Sequence, residues 1–252
     1  MNHFINGFFK RIKYNGSTHI SFNDIPTLMF QFAKHIPFEN LDVINNERSQ
    51  VSKHTLQQKL LDNPRGGLCY ELNPLFYYVL REVGYNVKMI AASIILPKNG
   101  LQGTHISTIL TYDERTYIVD VGFGSHLALQ PIPLTGETIS SRTGNYRIVE
   151  QHDDKAIYAL EKITNGKIEA SYTFTLDAVD EEYLTKVKEI IKKDERSPFN
   201  RSILVTKLTE EGHITLTKDT ITEIRQGIKN KQEINPTVFQ QLLANRFGIH
   251  GM

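Results

Sequence analysis

The sequence predicts an α+β fold with a helical first third, a strand-rich middle that reads as a small antiparallel barrel or sheet, and a closing stretch of strands ended by one helix. Three observations carry that prediction. Apolar residues recur at helical spacing up to Gly84, the pattern changes to short β-branched runs divided by turn residues from Tyr85 onward, and the helical period returns in Val238, Phe239, Leu242, Leu243 and Phe247. At 252 residues, 40% of them hydrophobic, the chain can close a sizeable core.

In the first third, Phe4, Ile5, Phe8, Phe9 and Ile12 make one amphipathic stripe. Ile25, Leu28, Met29 and Phe32 make a second, with Ser21 and Asn23 as candidate caps and Pro37 near its stop. The stretch His35-Ile36-Pro37-Phe38-Glu39-Asn40-Leu41-Asp42 lacks a helical period and is expected to be an ordered turn. Ser52 can cap a short helix through Leu56, Leu60 and Leu61, ended by Asn63-Pro64. A further helix carries Leu72, Leu75, Phe76, Val79 and Leu80 and stops at Gly84, completing a helical bundle over residues 1–84.

Residues 85–194 are expected to hold strands near 87–96, 105–111, 116–121, 146–150, 156–162 and 168–175. The clusters Pro97-Lys98-Asn99-Gly100, Tyr112-Asp113-Glu114-Arg115, Asp153-Asp154 and Asn165-Gly166 supply the turns, and a charged amphipathic helix over 179–193 closes the strands. Residues 195–252 read as strands near 202–208 and 213–217 joined by Glu210-Glu211-Gly212, a strand at 220–224 and a terminal helix at 236–247. No repeat or low-complexity linker interrupts the chain, so the three parts are expected to pack into one body.

The composition excludes several classes of function. A formal net charge of +1 gives no reason to expect nucleic acid or an anionic membrane as partner. One cysteine rules out an intramolecular disulfide and agrees with a reducing compartment. The apolar N-terminal residues are interrupted at once by Lys10, Arg11 and Lys13, too soon for a signal peptide or membrane span, which makes a cytoplasmic protein the default expectation. There is no GxGxxG or Walker sequence and no metal-ligand spacing of His, Cys or acids, so no metal is expected. Monomer and homo-oligomer both remain open.

The single cysteine lies in Arg65-Gly66-Gly67-Leu68-Cys69-Tyr70-Glu71-Leu72-Asn73 and therefore in the first turn of the helix that follows. Unpaired backbone N–H groups and the positive end of the helix dipole meet at such a position and favour an ionised sulfur. Gly66 and Gly67 allow a tight turn into the helix. A lone cysteine is more commonly a small buried hydrophobe, and only a base and an orienting group would make it a nucleophile. His105 and Asp120 can supply both. If 105–111 and 116–121 form a hairpin with a two- or four-residue loop, paired residue numbers sum to 227. His105 then faces Gly122, Asp120 faces Ser107, and the two are diagonal neighbours on one face. An odd loop without a bulge would separate them. Taken singly, His105 reads as a hydrogen-bonded strand histidine and Asp120 as a strand-end acid. With Cys69 they make a nucleophile, a base and an orienter.

These segments resemble the arylamine N-acetyltransferase family. Its Arg-Gly-Gly-x-Cys-aromatic-Glu-x-Asn pattern is similar to residues 65–73, its histidine strand to Gly103-Thr104-His105, and its aspartate segment to Asp120-Val121-Gly122-Phe123-Gly124. Ile36-Pro37-Phe38-Glu39-Asn40-Leu41 and Ser197-Pro198-Phe199-Asn200-Arg201-Ser202 are similar as well, and the likeness runs from about Phe22 through the final helix. The resemblance implies a helical bundle, an antiparallel β-barrel and an α/β lid around a catalytic core like that of cysteine proteases. It implies acetyl transfer from acetyl-CoA to an arylamine or arylhydrazine by a ping-pong route. Cys69 would be the acetyl acceptor, His105 the general base and Asp120 its orienter. Phe38 and Phe123 would line the acceptor pocket, and Thr104, Gly124 and Phe199 would lie near acetyl-CoA. Arg65 and Glu71 read as structural polar groups that hold the cysteine loop.

Tyr70 departs mildly from the family, which more often carries phenylalanine there. Two rival functions share the same residues: a related Cys-His-Asp acyltransferase or hydrolase, such as an amide synthase or a transglutaminase-like peptidase, and a catalytically silent relative that binds CoA or an aromatic ligand.

Overall fold

The computed structural model describes residues 3–96, 101–152 and 156–250. Its first apolar stripe forms α1 (His3–Ile12), with Phe4, Ile5, Phe8, Phe9 and Ile12 all buried. The second forms α2 (Ile25–His35), entered through a single 3₁₀ turn, Phe22–Asp24. That turn settles the cap. Ser21 N and Oγ both donate to Asp24 Oδ2, at 2.8 and 2.6 Å, while Asn23 lies inside the turn and caps nothing. After β1 (Phe38–Glu39), α3 (Leu41–Ile44) and α4 (Lys53–Leu56), the chain widens into a π turn over Gln57–Asp62 and then enters α5 (Cys69–Glu82). The rings of Phe8, Phe32 and Phe76 meet with centroids 5.6–6.1 Å apart, joining α1, α2 and α5 around one core.

The strand-rich middle is an antiparallel barrel. It comprises β2 (Asn86–Leu96), β3 (His105–Tyr112), β4 (Arg115–Val119), β5 (Ile132–Pro133), β6 (Ile139–Ser141), β7 (Gly144–His152), β8 (Ala156–Thr164) and β9 (Lys167–Ala178). Their order is β5-β4-β3-β2-β9-β8-β7-β6, and β5 comes back against β7 so that the sheet nearly closes. Ile90, Ile109, Ile118, Ile132, Tyr146, Ile148 and Tyr172 fill the interior. Two expected turns are two-residue hairpin loops with left-handed backbone: Asp113 and Glu114 at φ 49° and 58°, Asn165 and Gly166 at 51° and 74°. The expected turns at residues 97–100 and at Asp153-Asp154 lie outside the described residues.

The amphipathic helix after the barrel is α6 (Glu181–Lys193), capped by Asp180, whose Oδ1 accepts from Tyr183 N at 2.9 Å. It packs against α3 and α5 and adds Leu184, Val187 and Ile191 to the helical core, so it covers the helices more than the barrel it was expected to close. The last stretch holds β10 (Leu204–Leu208), β11 (Gly212–Thr217), β12 (Thr220–Arg225), β13 (Ile228–Glu233) and α7 (Pro236–Phe247). Asn235 caps α7 by accepting from Val238 N at 2.9 Å, and Gly248 ends it at φ 75°. Phe239, Leu243 and Phe247 pack on Val205, Ile214 and Leu216.

One expectation is corrected here. The segment from His35 to Asp42 is not merely a turn: Phe38 and Glu39 form β1, paired with Thr206 and Val205 of β10, and α3 follows directly. The second sheet therefore runs β1-β10-β11-β12-β13 and is built from both ends of the chain. Asn40 rivets the junction. Its Nδ2 donates to the carbonyls of Phe199 and Ser202 at 2.8 and 2.7 Å, and its Oδ1 accepts from Leu204 N at 2.8 Å.

Candidate active site

The loop ahead of Cys69 is shaped by contacts that leave no room for side chains. A Cβ on Gly66 would lie 1.9 Å from the Pro37 carbonyl oxygen, and one on Gly67 would lie 2.6 Å from Glu71 Oε2. Gly67 N donates to Pro37 O at 3.2 Å and Gly67 O accepts from Glu39 N at 3.0 Å, so the loop runs beside β1. Charged side chains brace it from behind. Arg65 Nε reaches Glu39 Oε1 at 2.9 Å and its guanidinium also pairs with Asp42. Lys59 bridges Asp42 at 2.7 Å and Glu71 at 2.6 Å. Burial pushes the Glu71 carboxyl up, with Lys59 pulling against it, and Glu71 Oε2 accepts from Leu68 N at 3.1 Å at the start of α5.

Cys69 is the first residue of α5, and its sulfur points at the strand carrying the histidine, 3.5 Å from Thr104 O. The β3–β4 hairpin has the two-residue loop and the pairing sum of 227, from Tyr112↔Arg115 to Thr108↔Val119. Beyond that ladder His105 Nε2 meets Asp120 Oδ2 at 2.7 Å. Cys69 lies near enough to the same imidazole to raise its proton affinity. Sulfur, ring and carboxylate are thus brought together at one place.

Asp120 is held from several sides. Its Oδ1 accepts from Asn73 Nδ2 and from Gly122 N, both at 2.8 Å. Asn73 also donates to Ile106 O at 2.6 Å and accepts from Val121 N at 2.8 Å, so one amide ties α5, β3 and the 120–124 segment together. Tyr172 lies under the histidine with ring centroids 4.8 Å apart, its hydroxyl contacts Ser107 Oγ at 3.4 Å, and burial with the nearby Asp120 charge raises its pKa. Gly122 is pressed against the helix start: a Cβ there would be 2.7 Å from Asn73 Nδ2 and 2.9 Å from Cys69 Cα. Burial, the largest influence on His105, disfavours its charge, but Asp120 and then Cys69 outweigh it and carry the imidazole up to about 10. For Asp120 burial again opposes the charge, and the His105 ring with the Asn73 and Gly122 donors holds the carboxyl below its ordinary value.

The group of three opens into a mainly apolar cavity of about 380 Å³. Seven of the residues expected from the sequence line it: Cys69, His105, Phe38, Phe123, Thr104, Gly124 and Phe199, with Asp120 just behind His105. Phe38 and Phe199 meet edge to face at 5.6 Å, and Phe123 stands edge-on to Tyr172 at 5.0 Å. Two supporting residues were missed. Asn73 sat in the quoted motif, one helical turn past Cys69, and that i, i+4 spacing was the available signal. Tyr172 had no local signal, because only the barrel brings β9 beneath β3. Among the described residues no group of three or more His, Cys, Asp or Glu could hold a metal ion, and no helix is long and apolar enough to cross a membrane.

Comparison with known proteins agrees with this geometry. Residues 21–251 match the N-acetyltransferase family profile. The chain is 37% identical to the uncharacterized acetyltransferase YvcN of Bacillus subtilis, over 98% of each chain. It superimposes with a TM-score of 0.94 on an arylamine N-acetyltransferase of Bacillus cereus, 38% identical and covering 100% of both chains, that has a unique Cys-His-Glu catalytic triad. In the present chain the carboxylate facing the histidine is Asp120. The Mycobacterium marinum arylamine N-acetyltransferase in complex with CoA is also similar, with a TM-score of 0.85 and 26% identity over 97% of this chain and 92% of that one. The chain belongs to the arylamine N-acetyltransferase family of acyltransferases.

Proposed function

We propose that the protein transfers acetyl from acetyl-CoA to the nitrogen of an arylamine or arylhydrazine through an acetyl-Cys69 intermediate, in ping-pong order. The grouping of Cys69, His105 and Asp120 at the floor of an apolar cavity carries the proposal. In the reacting form the Cys69 proton has passed to His105, leaving a thiolate beside an imidazolium. The sulfur attacks the thioester carbonyl, and the backbone N–H of Cys69, the first residue of α5, receives the developing oxyanion. The tetrahedral intermediate expels the CoA thiolate, which takes the proton of His105. Acetylation also removes the sulfur's contribution to the raised proton affinity of His105, so the ring becomes a base as the intermediate forms. An aromatic amine, largely unprotonated near neutral pH, then attacks the acetyl-cysteine. Its proton passes to His105, the amide forms and the Cys69 thiolate is restored.

In this proposal Phe38 and Phe123 hold the acceptor ring, while Thr104, Gly124 and Phe199 lie beside the donor. The CoA complex of the Mycobacterium marinum relative supports acetyl-CoA as the donor substrate. The C-terminal sheet and the Phe38–Phe199 wall keep water from the thioester. A lone thiol with no second cysteine suits a reducing, cytoplasmic setting. Mass spectrometry of the protein mixed with acetyl-CoA alone tests the core claim: one acetyl group on Cys69 is expected, and an unmodified protein would sink it. Adding a panel of arylamines should then carry CoA release beyond one equivalent per enzyme only where an amine is present, which separates acetyl transfer from hydrolysis.

A further inference from the structure

Between β2 and β3, His105 is preceded by a segment that lies outside the strand ladder, whose first pair is Ala92↔His105. Two side chains grip that segment at one glycine. Gly103 N donates to Ser93 Oγ at 2.9 Å, and Gly103 O accepts from the hydroxyl of Tyr183 on α6 at 3.0 Å. Gly103 has φ 65°, and a Cβ on it would lie 2.6 Å from the Tyr183 oxygen, so the phenol fills the space that a side chain would need. The carbonyl of the residue after Gly103, Thr104, accepts from the Cys69 sulfur at 3.5 Å, and the next residue is His105.

We propose that Tyr183 is a positioning residue for acyl transfer. Its phenol fixes the Gly103 peptide and so sets where His105 starts its strand and where the imidazole stands relative to Cys69. The inference rests on Cys69 being the acetyl acceptor. Tyr183 acts from a firm base, because α6 is pinned along its length: Glu181 accepts from Lys53 N at 3.0 Å, and Lys188 Nζ donates to Ser49 O at 2.9 Å. The helix that carries Tyr183 also sends Ile191 into the wall of the catalytic cavity. One element thereby supports both the apolar wall and the backbone that aligns the sulfur with its base.

The test uses the full chain with Tyr183→Phe, and Ser93→Ala as a second way of releasing the same peptide. Cys69 alkylation by iodoacetamide, amine-dependent CoA release and thermal melting are measured on each. Loss of one neutral hydrogen bond is expected to lower both alkylation near neutral pH and kcat roughly three- to tenfold, with the amine KM unchanged. The melting temperature should fall by no more than about 4 °C. Val187→Ala, a core truncation on the same helix that leaves Gly103 untouched, should cost more stability and leave the alkylation rate near wild type. Wild-type alkylation and kcat in folded Tyr183→Phe and Ser93→Ala would overturn the proposal. So would a rate loss in Val187→Ala that matches theirs. Should the wild type acetylate no amine, the proposed function fails, while the alkylation rates still decide the role of Tyr183.

Discussion

Replacing Asp120 by asparagine isolates the charge at the centre of the proposed chemistry, because the two side chains have the same shape. The asparagine Oδ1 can keep the bonds from Asn73 Nδ2 and Gly122 N, each 2.8 Å in the native site. Only the other end changes: an oxygen 2.7 Å from His105 Nε2 becomes an amide nitrogen, a donor facing a donor. Without the carboxylate, burial drives the ring toward its neutral form. In the native site the protonated ring persists to about 10, against 6.5 for ordinary histidine. At neutral pH the part of that preference lying above pH 7 is worth about 4 kcal/mol, a factor of ten in proton affinity being about 1.4 kcal/mol. Losing that preference lowers the protonated-to-neutral ratio of the ring by ~10³-fold, and with the wrong tautomer turned toward Cys69 amine-dependent CoA release should fall by roughly 10⁴-fold.

Stability follows the same charges. A ring with raised proton affinity stabilises the fold fully below pH 6.5 and loses that contribution as pH rises through about 10. The lowered Asp120 carboxyl contributes above its ordinary range and is lost as pH falls through its folded value. The melting-temperature gap between wild type and Asp120→Asn should therefore be widest in mildly acidic to neutral solution and close toward pH 10. Turnover of the variant within about tenfold of wild type at neutral pH, or a gap that widens with alkali, would refute the reasoning.

Three further outcomes are expected. Cys69→Ala should abolish acetyl uptake from acetyl-CoA, read by mass spectrometry, while circular dichroism shows the fold intact, since the change removes a single buried sulfur atom. Gly122→Ala places a methyl 2.9 Å from Cys69 Cα at the helix start. It should cost about 1–3 kcal/mol in denaturant unfolding and remove most activity, since neither backbone can yield without moving the sulfur. The Tyr70 hydroxyl is fully buried and meets no hydrogen-bond partner among the described residues. Tyr70→Phe should therefore be stabilising, by about 1 kcal/mol or about 2–4 °C in melting temperature.

Local chemistry made much of this molecule legible in advance. The β3–β4 register was readable as a condition, since any even loop brings His105 and Asp120 to one face, and the two-residue loop Asp113-Glu114 meets it. The terminal helix was readable from its apolar stripe, Val238, Phe239, Leu242, Leu243 and Phe247, and Asn235 and Gly248 fix its ends in the structure. What stayed hidden depended on distant partners or lacked a hydrophobic pattern. β1 is two residues long and exists because β10 lies beside it. All six residues of β13 are exposed, so Ile228–Glu233 shows no alternation to announce a strand. In the site, Asn73 and Tyr172 acquire their partners only when α5, β3 and β9 converge, and a linear pattern cannot report that convergence.

The cavity around Cys69 draws its walls from Phe38, Phe123 and Phe199, three positions spread along the chain. The strand facing β1 is residues Leu204–Leu208, and it is in turn covered by a helix that ends at Phe247. On a ribosome the thiol therefore emerges long before its shelter does, and such non-local pairings are slow to form. A newly made chain spends its early life with a sulfhydryl that has neither its base nor its aromatic walls.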